Sequence, residues 1–69
     1  MNEVVQRRIK ELKELATCIK VEAQCLLEDI NEIETADDLP IVEKKFDTIT
    51  TYAHQGYDKV MYTYDEFEE

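Results

Sequence analysis

A chain of 69 residues, 43% hydrophobic, 36% charged and with a net charge of −9, has room for one small domain at most. Its hydrophobic share is too high for a chain that stays disordered, and a single glycine (Gly56) and a single proline (Pro40) supply too few turns for an all-β fold. No stretch approaches the ~18 apolar residues of a membrane span, and no apolar segment follows Glu3, Arg7 and Arg8 as a secretion signal would require, so the expected location is the cytoplasm.

The first element is announced by Val5, Ile9, Leu12, Ala16, Ile19, Ala23, Leu26, Ile30 and Ile33. The spacings alternate four and three without a break, the signature of a helix with a coiled-coil-like seam. This predicts a helix over about residues 3–34. Cys18 and Cys25 lie two helical turns apart on it, ~10 Å, too far to bridge each other. They read as reduced thiols acting as small apolar side chains.

Glu34-Thr35-Ala36-Asp37-Asp38 then interrupts the pattern. Thr35 and Asp38 have capping-box spacing. Pro40 is tolerated only in a first helical turn, which favours Asp37 or Asp38 as the N-cap. The second helix is expected over about 38–64, on the stripe Leu39, Val42, Phe46, Ile49, Ala53, Gly56, Val60, Thr63 and Phe67. Only Gly56 and Thr63 break its apolar rule. An acidic tail, residues 65–69, follows and is expected to fray.

So short a connection makes the helices antiparallel neighbours. With the stripes facing each other, Ile33 meets Leu39, Ile30 meets Val42, Leu26 meets Phe46 and Ile19 meets Ala53. Ala16 meets Gly56, which would allow close backbone approach. Beside the seam the same register sets Asp29 against Lys45 and Arg8 against Glu66, with no like charges opposed. The expected fold is all-α: an antiparallel two-helix hairpin that pairs with a second copy into a four-helix bundle. Pairing is expected because two helices alone leave side surface wet. The surface expected at that homodimer or partner interface is Leu15, Cys18, Cys25, Tyr52 and Tyr62. Leu27, Ile41, Tyr57 and Met61 are also expected to be partly exposed.

Charge is uneven. Residues 21–43 hold eight acidic and no basic groups. The turn end becomes an acidic tip of Glu28, Asp29, Glu32, Glu34, Asp37 and Asp38, suited to a basic partner surface of the kind that binds nucleic acid. Catalytic constellations are missing from the sequence. His54 is expected across from Cys18, but no glycine-rich turn offers an oxyanion hole and no ligand spacing suggests zinc. Asp29-Ile30-Asn31 lacks the glycine and terminal glutamate of a calcium loop. The expectation is a non-enzymatic protein-binding module with no cofactor and no metal. It would be a regulator or inhibitor docking by its tip, or a scaffold binding a partner helix by its apolar flank. In outline the hairpin resembles plasmid copy-number regulators of the Rop type. That resemblance of shape implies a third reading, an RNA-binding hairpin dimer using Arg7, Arg8, Lys10 and Lys13. The surrounding negative charge opposes nucleic acid.

Overall fold

The computed structural model describes residues 3–67. Helix α1 spans Glu3–Asn31 and helix α2 spans Leu39–Phe67, joined through a single 3-10 turn at Ala36–Asp38. No strand occurs among the described residues. The helices run side by side as a hairpin, a rod of 54 × 15 × 9 Å.

Both boundaries differ from the expected ones for physical reasons. The acids Glu28, Asp29, Glu32 and Glu34 oppose the dipole at the end of α1, whose last turn holds no basic residue. The helix closes early. Glu32 and Ile33 donate backbone bonds three residues back, to the carbonyls of Asp29 and Ile30, both at 3.2 Å. At the other side of the turn the cap is Thr35, not Asp37 or Asp38. Thr35 is extended (φ −137°, ψ 168°), and its hydroxyl accepts from the Asp37 N–H at 3.3 Å. The Asp38 carboxylate accepts from the Glu34 and Thr35 N–H groups at 3.0 and 3.1 Å. The 3-10 turn absorbs three residues, so Pro40 is still only the second residue of α2 and costs no helical bond. The acidic tail is helical as far as Phe67, with Glu66 held near Arg8 at 3.9 Å. Glu68 and Glu69 lie outside the described residues.

Each apolar stripe is made of two interleaved columns. The inner column of α1 is Val5, Leu12, Ile19 and Leu26, continued by Ile33 beyond the helix end; that of α2 is Val42, Ile49, Gly56 and Thr63. All of these are buried or half-buried, with Val5 and Leu26 the most enclosed apolar side chains at 1% and 7% exposure. The outer columns are Ile9, Ala16, Ala23 and Ile30 on α1, and Leu39, Phe46, Ala53, Val60 and Phe67 on α2. These do not meet in a seam. All except the half-buried Ile9 are exposed, Phe46 by 52%. The helices are rotated so that a third column joins the contact instead: Arg8, Leu15, Glu22 and Asp29 against Asp38, Lys45, Tyr52, Lys59 and Glu66, every one half-buried.

The expected pairs Leu26–Phe46 and Ala16–Gly56 are therefore corrected. A β-carbon at Gly56 would meet nothing within 4 Å, so the glycine marks no close approach. The rotation follows from width. One helix–helix contact covers about two columns per helix, and here it takes the inner column and the largely charged third column, leaving the outer apolar column outside. The third column adds ion pairs whose aliphatic stems cover the inner column. Lys45 meets Glu22 at 3.2 Å and Lys59 meets Glu11 at 2.5 Å. The Lys59 hydrogen bond holds the Glu11 carboxyl below its usual range, and the Glu22 hydrogen bond raises Lys45. Arg8–Glu66 was expected; Asp29–Lys45 was not realised as a bridge, Lys45 having turned to Glu22. Thr63, buried at 8%, satisfies its hydroxyl on the Lys59 carbonyl at 2.7 Å.

Candidate functional site

Two surfaces could carry binding: the acidic tip and the face formed by the outer columns. At the tip, Glu28, Glu32, Glu34 and Asp37 are exposed, whereas Asp29 and Asp38 are half-buried. Asp38 is occupied as the cap, and the two backbone N–H bonds it accepts lower its pKa from the ordinary carboxylate value. The tip acids do not converge. No group of three His, Cys, Asp or Glu side chains could hold a metal ion among the described residues. A cleft of about 90 Å³ there lies between Asp29, Glu32, Asp38 and Ile41.

The residues expected at the apolar interface separate into two sets. Leu15, Cys25 and Tyr52 are half-buried, because the rotation brings their side of each helix towards the partner helix. Cys18 and Tyr62 are exposed, with the Arg8 guanidinium 5.9 Å from the centre of the Tyr62 ring. Arg8 also reaches Glu11 at 3.8 Å and Glu66 at 3.9 Å, which engages one of the four cations of the RNA-binding reading. His54 and Cys18 are not brought together. His54 lines a depression with Ile49, Thr50, Ala53 and Tyr57, to which Cys18 does not contribute.

The larger surface is the one that sequence reasoning assigned to the core. Leu39, Phe46, Val60 and Phe67 form its α2 half, beside Tyr57 and Tyr64, which are 67% and 63% exposed. Ile30 and Leu27 continue it onto α1. Because the helices are antiparallel and both rotate the same way, their outer columns fall on the same side of the rod. The signal was present: each stripe holds two apolar columns, and a helix in a lone hairpin need not bury both.

Among the described residues no helix is long and apolar enough to cross a membrane. The chain matches no protein-family model, no curated protein and no solved structure.

Proposed function

We propose that this chain is a small non-catalytic protein-binding module that works through its outer-column face. One observation carries the reading: both helices hold large apolar side chains on one exposed side, at the positions that heptad spacing reserves for a core. Helices docked there would complete a four-helix bundle and enclose the inner columns from their open side. Recognition would be helix against apolar face, and so insensitive to salt.

The second reading is docking of the acidic tip on a basic surface. The exposed Glu28, Glu32, Glu34 and Asp37 favour it, within a segment that carries eight acids and no base. A partner captured from host lysate discriminates between the two. Under the first reading it stays bound in molar salt, and Phe46→Glu releases it. Under the second it elutes with salt, and reversal of Glu28, Glu32 and Glu34 to lysine releases it. Asp38 is left intact in that variant because it caps the turn. A partner that resists salt and survives Phe46→Glu would sink the first reading.

A further inference from the structure

We propose that the occupant of the outer-column face is a second copy of this chain, packed face to face about a two-fold axis that crosses the rods. The two acidic tips then point to opposite ends. The proposal rests on the reading of that face as a binding surface and names its partner and geometry.

Side-chain sizes along the outer columns are ordered symmetrically. From the tip to the open end, the outer column of α1 runs Ile30, Ala23, Ala16, Ile9: large, small, small, large. That of α2 runs Leu39, Phe46, Ala53, Val60, Phe67: large, large, small, large, large. Each reads the same in both directions. Their centres, between Ala16 and Ala23 and at Ala53, share a height within about one helical turn. The Glu22–Lys45 bridge lies on the tip side of that height and Glu11–Lys59 on the open side. A two-fold across the rod turns each column end for end onto its own copy, and it requires a common centre for both. Alanines then meet at the axis, where backbones come closest, and bulky residues meet at both ends. A partner of any other kind makes no such demand on both helices at once.

The depression of about 460 Å³ includes Ala53 and is bounded by Thr50 and Tyr57. A two-fold at Ala53 sets Tyr57 of the second copy at the height of Ile49, one residue from Thr50. The tyrosine ring of the second copy therefore comes over that edge and into the depression.

Charge chooses the direction. Residues 21–43, which include the tip, carry −8, while the open end is near neutral, residues 1–20 carrying +2 and residues 61–67 carrying −2. A two-fold along the rod would press one tip on the other. The crosswise axis instead sets each tip over the near-neutral open end of the second copy.

Area agrees. The accessible surface is 5569 Å², against about 4,500 Å² for a compact monomer of this mass. The excess, on the order of 1,000 Å², matches the ~800 Å² that each partner gives to a standard interface.

Sedimentation equilibrium at micromolar concentration tests the pairing. Spin labels at Glu34→Cys, in a Cys18→Ser, Cys25→Ala background, test its direction. We expect a dimer whose labels are separated by close to the rod's 54 Å length. Phe46→Glu with Val60→Glu should weaken it by about 100-fold or more. Ile41→Glu with Tyr62→Glu, on the other side of α2, should not. A dimer with labels less than half that distance apart overturns the crosswise axis without needing any face variant to fold. A monomer overturns the second copy but leaves the binding face open to the partner capture above. A dimer that survives the Phe46 and Val60 changes and breaks with the Ile41 and Tyr62 changes overturns the proposal and the reading beneath it.

Discussion

Gly56 interrupts an apolar column in the middle of α2, at a position where nothing in the structure uses its lack of a side chain. Its φ is not positive, and an added methyl meets nothing within 4 Å. Glycine inside a helix costs roughly 0.5–1 kcal/mol relative to alanine, through unfolded-chain entropy and exposed backbone. Gly56→Ala should therefore raise the melting temperature by several degrees at fixed chain concentration, read by circular dichroism. A lower melting temperature would mean that the helices approach more closely at this point than described. From sequence alone, Gly56 looked like a device for close packing against Ala16. Spacing identifies the column on which a residue sits, but it cannot say how far the helix is turned about its own axis.

The turn is the element where sequence and structure agree on the parts and differ on the assembly. Thr35, Asp38 and Pro40 are each legible as helix-start residues. The 3-10 turn that lets Thr35 cap while Pro40 remains in the first turn of α2 has no local sequence signature. Its electrostatics give a pH-dependent prediction. The folded pKa of Asp38 is depressed by the Glu34 and Thr35 N–H groups. Its stabilisation is therefore complete above the ordinary value near 3.8, and it fades as the pH falls through the lower folded value. Asp38→Ala should melt below wild type by a margin that is constant from neutral pH to roughly pH 5. That margin should then close in stronger acid. A margin unchanged at the lowest pH would show that the charge on Asp38 has no part in the cap.

For the molecule as a whole, the period-seven pattern specified two helices, their antiparallel order and the Arg8–Glu66 bridge. It misassigned the outside. Leu15 and Tyr52, read as flank, are drawn into the contact, and Phe46 and Val60, read as seam, are left out. The cause is that a heptad stripe satisfies two neighbours in a bundle and only one in a hairpin. A sequence shaped for several contacts does not state which of them a single chain makes first. The exposed outer columns and the excess surface are two expressions of that incompleteness. They carry the reading of this chain as a binding module.

The most enclosed side chain, Val5, sits at the open end, as far from the turn as the rod allows. Its contact with α2 closes a loop of nearly the whole chain, which is entropically the most expensive loop to form. A hairpin that zips from its turn would make this contact last, after the transition state. Val5→Ala, which removes about 2 kcal/mol of buried contact, should accelerate unfolding in stopped-flow experiments and leave the refolding rate nearly unchanged. Ile33→Ala, beside the turn, should instead slow refolding. The side chain that best closes the hairpin would then govern how long it stays folded, not how quickly it forms.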